Sequence, residues 1–504
     1  MLHRDPCRGK TPLASFLDKD RIVAGPHFNR WLVPPAALAI HLSIGMAYGF
    51  SVFWIPLSCA VGIERPVPCP DDMTLLGRVL TTEYDWSISM LGWMYTLFFV
   101  FLGGSAAVLG RWVEQAGPRK AGLLGACCWG GGLLVSALGV YVHQIGLLWL
   151  GAGVLGGIGL GLGYISPVST LLKWFPDRRG MATGLAIMGF GGGAMIGAPL
   201  ANELMAFFKT EASVGVWQTF LVLGILYFTA MTLGALGYRL PPSGWTPYPS
   251  PGMSAAIPGG SKEDILFVPV SRAWRTKQFW LAWAVLCLNV SAGIGVLGMA
   301  SPMIQEVFGG RLIGVDVAYD ELSRAQKGRL ATIAAAFAGL LSFFNIVGRI
   351  AWASFSDLVG RKTTYAIFFA LGILLYAAVP WTAQHKNVLP FVTFMCVILS
   401  MYGGGFAAIP AYLADLFGAQ HISAIHGRLL TAWSVAGILG PVAVTYLRDW
   451  HLADGSAPAD AYNDTMYLLA ALLAVGLICN WSIHPLDADQ FERVTTPSVP
   501  ADAM

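Results

Sequence analysis

The chain has 504 residues, of which 56% are hydrophobic and 12% charged, with 60 glycines and 18 tryptophans. An average soluble domain is about 25% charged, so the composition excludes an ordinary water-soluble globule. Apolar blocks of about 20 residues recur along the chain, each able to cross a ~30 Å hydrocarbon layer as a helix. The formal net charge of +3 gives no reason to expect a nucleic-acid partner.

Residues 1–30 are polar and basic and lack a signal-peptide pattern, so the first apolar block is expected to remain as a helix. Twelve spans are predicted, near 31–55, 87–110, 120–142, 146–172, 181–207 and 217–238, then 278–304, 330–354, 363–383, 388–414, 427–447 and 464–484. Between the sixth and seventh lies 241–276, whose seven prolines exclude a continuous helix and mark a flexible linker. The predicted plan is an all-α polytopic protein: an N-terminal segment 1–30, a six-helix half 31–240, the linker 241–276, a second half 277–485 and a tail 486–504.

Charge placement sets the expected orientation. With both termini in the cytoplasm, 21 Lys and Arg fall in inside segments and 9 in outside ones, as the positive-inside rule requires. The outside segment 305–329 carries four of the nine, balanced by four acidic residues. One basic residue is left over. Arg349 lies within the eighth span, eight residues before Asp357 at the predicted membrane boundary. That is roughly 12 Å into the layer, deeper than an arginine comfortably snorkels. A guanidinium there costs between about 2.5 and 17 kcal/mol unless it faces a wet or protein-lined interior, and such a residue marks a substrate or ion site by default.

The chain also repeats itself. The stretch GRWVEQAGPRK (110–120) after the second span matches ASFSDLVGRK (353–362) after the eighth. Glu114 and Asp357, Gly117 and Gly360, and Pro167 and Pro410 each stand 243 residues apart. Two parallel six-helix repeats follow, a transporter plan that places the binding site at their interface near mid-membrane.

Acid-x-x-Gly followed by basic residues, after spans 2 and 8, resembles the signature loop of the major facilitator superfamily, and the likeness covers nearly the whole chain. It implies gating residues: Asp357 at a helix N-terminus across the loop, pairing with Arg361 or Lys362, and Glu114 with Arg119 or Lys120 as the weaker copy, because Pro118 displaces the basic pair. Three strings are narrower: WLVPPAALAIHLSIGMAYGFSVFWIPL in span 1, GLGYISPVSTLLKWFPDRRGMATGLAIMGFGGGA across spans 4 and 5, and YGGGFAAIPAYLADLFG in span 10. Together they resemble the oxalate:formate antiporter family, related to the monocarboxylate porters. In both families an arginine of helix 8 holds the substrate carboxylate, which Arg349 would do here; its planar fork matches a carboxylate bidentately.

The departures narrow the expectation. The helix 11 lysine that serves a dianion is replaced in Thr431-Ala432-Trp433, and Asn345 stands where the proton-coupled porters place an aspartate. The departures thus point to a monocarboxylate such as formate, pyruvate or lactate; exchange of two anions resembles the family, whereas symport would need a proton carrier that the sequence does not display. Tyr402 and Phe406, one turn apart, would enclose the anion; Tyr164, Tyr48, Trp54 and Trp433 are further lining candidates, and Asn289 is a buried hydrogen-bonding one.

Other features read as structural. Gly153, Gly157 and Gly161 share a helix face and suit close packing, not phosphate binding. His41 is expected to be structural, and a Cys59–Cys69 bridge is left open. No nucleophile–base pair, metal spacing or cofactor motif is visible. The expectation is a monomeric bacterial inner-membrane carrier without a cofactor, whose partners are a small organic anion and the bilayer. A membrane sensor for the same anion, or a carrier for a non-carboxylate solute, are the alternatives.

Overall fold

The computed structural model describes residues 16–494 apart from 26, 64–66, 71–72, 243–244, 246–264, 319–320 and 458–459. Most of the expected linker, the first half of the N-terminal segment and the end of the tail therefore lie outside the described residues. Among the described residues, twelve helices are long and apolar enough to cross a membrane: α1 (Arg30–Phe50), α2 (Met90–Ala116), α3 (Pro118–Tyr141), α4 (Ile145–Trp174), α5 (Arg179–Phe208) and α6 (Val216–Gly237), then α7 (Lys277–Leu297), α8 (Ala336–Val359), α9 (Arg361–Gln384), α10 (Val388–Phe417), α11 (Ile422–Arg448) and α12 (Asn463–Trp481). Beyond its apolar core α7 continues to Phe308, and α8 begins at Arg324. An even number of spans brings both chain ends to one face, called here the terminal face.

The repeat seen in the sequence is a repeat of geometry. Gly117 and Gly360 end α2 and α8 with φ of 88° and 89°, a backbone conformation that glycine alone adopts without strain. Each turn then starts the next helix at once, with Pro118 or Arg361 in its first position. Arg119 donates to the Leu236 and Tyr238 carbonyls at the end of α6. Lys362, its counterpart, donates to the Trp481 and Ile483 carbonyls at the end of α12. Both cations therefore satisfy orphaned C-terminal carbonyls of the last helix in their own half.

Small residues let the two halves meet. A Cβ on Gly184 of α5 would strike the carbonyl oxygen of Arg349 on α8, and one on Gly427 of α11 would strike that of Ala106 on α2. The two contacts are again 243 residues apart at both ends. Within the second half, Gly348 and Gly403 bring α8 and α10 together in the same way, against Ser400 and Asn345 backbone oxygens.

Two features lie outside the bundle. Strands β1 (Ile265–Phe267) and β2 (Glu492–Val494) pair antiparallel, so the described end of the linker is stitched to the tail. The Val268 N–H donates to the Phe417 carbonyl, and Phe267 packs edge-on against His421 at 5.0 Å. On the opposite face Arg448 donates to both Glu306 carboxylate oxygens, and the Tyr462 hydroxyl donates to the same group at 2.6 Å. Burial first, then this carboxylate, pushes the Tyr462 phenol above its ordinary range. Cys59 and Cys69 are both free.

The glycine contacts can be tested against an internal control. Gly131 on α3 faces open space, so Gly131→Ala should hold or raise the melting temperature in detergent, alanine being the better helix former by about 0.5–1 kcal/mol. Gly427→Ala should melt below wild type, since overpacking costs about 1–3 kcal/mol. Equal melting temperatures for the two variants would show that α2 and α11 do not meet as described.

Candidate functional site

Arg349 is fully buried at the seam between the halves. Its Nε donates to Asn345 Oδ1 at 2.9 Å, one turn back on α8, and its Nη1 donates to the Ile187 carbonyl of α5 at 3.1 Å. Nη2 makes no hydrogen bond, nor does Asn345 Nδ2. Two donor nitrogens of one helical turn are thus buried and left over. The guanidinium carbon sits 5.6 Å from the Phe190 ring and 5.7 Å from the Phe406 ring, a distance at which ring faces stabilise a cation. Glycines make room for the side chain: a Cβ on Gly403 of α10 would lie 3.2 Å from its Cγ, and one on Gly191 of α5 3.6 Å from its Nε.

Aromatic rings from both halves surround this group. Trp433 of α11 packs 4.7 Å from Phe406 and 5.4 Å from both Phe190 and Tyr164. Tyr48 of α1 lies 4.7 Å from Phe190, and its hydroxyl shares a 2.8 Å hydrogen bond with that of Tyr402. Tyr402 in turn packs 5.4 Å from Phe406. The structure therefore brings Arg349, Asn345, Tyr48, Tyr164, Tyr402, Phe406 and Trp433 into one box. Trp54 packs on Tyr95 instead. Asn289 lines a separate small cavity within the second half, sharing only Tyr402 with the box.

Phe190 is the ring the sequence analysis missed. It stands in GFGGGA, where a glycine run reads as helix packing, yet it lies 243 residues before Trp433. The repeat offset that relates the two loops would have found it. The same offset pairs Arg349 with Ala106, so the box is symmetric in its Phe190–Trp433 walls and asymmetric in its charge.

The terminal face is closed by a symmetric pair of latches. Asp357 accepts the backbone N–H groups of Gly180 and Met181 at 2.9 Å each, capping the first turn of α5 from across the seam. Glu114 accepts the Ser423 N–H at 2.9 Å in the first turn of α11, with His421 Nδ1 at 3.1 Å. Helix N-termini carry unpaired N–H groups and positive partial charge, which an acid satisfies. Arg361 donates to Asp357 at 2.5 Å and lies 3.3 Å from Asp415, which also pairs with Arg179 of the first half at 2.9 Å. Arg119 and Lys362, expected as gate cations, are occupied at the helix ends described above, and Lys120 pairs with Asp18. The inter-half hydrogen bonds of the described residues run from the Tyr48–Tyr402 and Phe99–Ser434 layer to the terminal face.

Two six-helix repeats around a buried polar site are the architecture of a membrane transporter and not of an enzyme. The chain belongs to the Major Facilitator Superfamily, whose family model matches residues 37–441. Apicoplast pyruvate carrier 1 of Toxoplasma gondii is 26% identical over 88% of this chain and 87% of its own length. The oxalate:formate antiporter of Oxalobacter formigenes is 24% identical over 79% and 84%. The E. coli fucose:proton symporter shares the fold, with a TM-score of 0.59 at 12% identity over 91% of this chain and all of its own.

The latches should govern movement more than binding. Asp357→Asn, and likewise Glu114→Gln, should lower the maximal exchange rate in proteoliposomes while substrate affinity stays within about threefold of wild type. Loss of affinity with an unchanged exchange rate at saturation would assign these acids to the substrate instead.

Proposed function

We propose that this protein is a secondary carrier for a small monocarboxylate, moved by rocking the two halves about the box, with the terminal face in the cytoplasm of a bacterial inner membrane. The observation that carries the reading is the pair of unpaired donors, Arg349 Nη2 and Asn345 Nδ2, buried one turn apart among aromatic rings. A buried donor without a partner costs about 1–3 kcal/mol, more when charged. A carboxylate has two acceptor oxygens and one negative charge, which satisfies both donors and neutralises the guanidinium. The relatives include carriers named for pyruvate and for oxalate and formate.

One cation favours a monoanion over a dianion, and the neutral Trp433 in the opposite wall supports the same preference. Exchange of one anion for another is the coupling this site supports, because the neighbour of Arg349 is Asn345 and not an acid. Counterflow in proteoliposomes separates a carrier from a sensor, which binds without exchange.

Removing one partner of a buried charge pair costs about 3–5 kcal/mol, roughly two to four decades of affinity. Arg349→Ala should therefore abolish saturable carboxylate uptake while the protein still folds, and Arg349→Lys, which keeps the charge but loses the fork, should retain weak transport. Binding by Arg349→Ala within about threefold of wild type would sink the reading. Trp433→Lys supplies a second cation and should shift preference toward dicarboxylates by about tenfold, the effect of ~1.4 kcal/mol, in a competition assay.

A further inference from the structure

The two latches of the terminal face match in their backbone caps and differ in charge. The 243-residue offset lets their surroundings be compared position by position. Arg361, which donates to Asp357, stands opposite Pro118. Arg179 and Asp415, whose ion pair crosses the seam beside Asp357, stand opposite Ile422 and Leu172. Three charged partners of one latch are thus missing from the other. What Glu114 has instead is an imidazole, His421 Nδ1 at 3.1 Å from its Oε2.

That imidazole is held in place and open to water. Its ring packs edge-on against Phe267 of β1, and two residues on, the Ser423 N–H donates to the same carboxylate. The His421 side chain is 33% exposed and that of Glu114 10%. Protons can therefore reach the ring from the aqueous side of the face, while the carboxylate beside it is largely shielded.

The other charges nearby come from several elements. Lys19 of the N-terminal segment donates to the Glu114 carbonyl at 3.0 Å, and Lys173 at the end of α4 is within electrostatic reach of Glu114 and Lys19. Both belong to the same half as Glu114, so neither joins the halves. In the second half Arg272 is paired with Glu492, and Asp415 with Arg179 and Arg361. Arg428 of α11 and Arg111 of α2 act on each other. Among the described residues, the ion pair that Glu114 makes across the seam is the one with His421.

We propose that Glu114 and His421 form a proton-sensitive latch, which a proton on His421 tightens and its loss loosens. Imidazole changes charge between about pH 5 and about pH 8, whereas the arginines of the Asp357 latch stay charged throughout. With the face closed, an imidazolium has a carboxylate partner; with the halves apart it has none. The closed form therefore binds the proton more tightly, and by reciprocity the proton favours the closed form. Closure is firmest at low pH and weakens as the imidazole gives up its proton. This goes beyond the carboxylate reading, and its test needs no solute in the box.

The test is hydrogen–deuterium exchange of the purified full-length protein in lipid nanodiscs, read by mass spectrometry over the first turn of α11. After correction for the intrinsic pH dependence of amide exchange, wild-type protection there should fall at least about fivefold between about pH 5 and about pH 8, the low end of coupling between two sites. His421→Gln, uncharged throughout, should show low protection at both values. His421→Arg, charged throughout, should show high protection at both. The middle of α3, remote from the latch, serves as the folding reference for both variants. Wild-type protection that does not change with pH would overturn the proposal. So would a His421→Gln variant that keeps the wild-type dependence, since the titrating group would then lie elsewhere.

Discussion

A single guanidinium inside an apolar bundle constrains most of what surrounds it. Arg349 has no acidic partner among the described residues, so its charge is spread over weaker contacts: an amide oxygen, one backbone carbonyl, two ring faces and the Tyr48 hydroxyl beside it. Glycines at 191 and 403 give it room, and a glycine at 348 draws α8 against α10 beside it. These arrangements hold the charge without neutralising it. An arginine paired with aspartate would be more comfortable, but its charge would already be neutralised.

Around that charge the two halves match in some parts and differ in others. The matching parts are two acids capping two helix N-termini across the seam, two cations capping the last helices, and two glycine contacts of the same register. The symmetry breaks at Arg349, which stands opposite Ala106. Ion pairs beside the two acid caps differ as well. Arg361 and Arg179 both reach Asp415 on one side, whereas Glu114 has His421 on the other.

Much of this was legible in the sequence, for physical reasons that differ from element to element. Spans are visible because a ~30 Å layer demands long apolar helices, and the observed helices begin and end within several residues of the expected positions. Arg349 stands out because charge inside such a helix is costly. The repeat exposes the loops, since Gly117 and Gly360 must both take positive φ. Side-chain partnerships across the seam were harder to read. Whether Lys362 reaches Asp357 or the end of α12 depends on how helices cross, and spacing along one helix carries no such information. Phe190 was hidden by its glycines, and the strand at 265–267 by the prolines before it.

The absence of a counterpart to Arg349 bears on how such a protein could arise. A homodimer of one six-helix half would place either two guanidiniums in the box or none, because its two-fold axis copies every residue. Two cations would suit a dianion and repel each other when empty; none would leave an anion unclaimed. Covalent fusion of the halves frees position 106 from position 349, so that an odd charge becomes available at the centre of a nearly symmetric machine. One guanidinium at the middle of the seam is, on this view, an arrangement that only a single chain can encode.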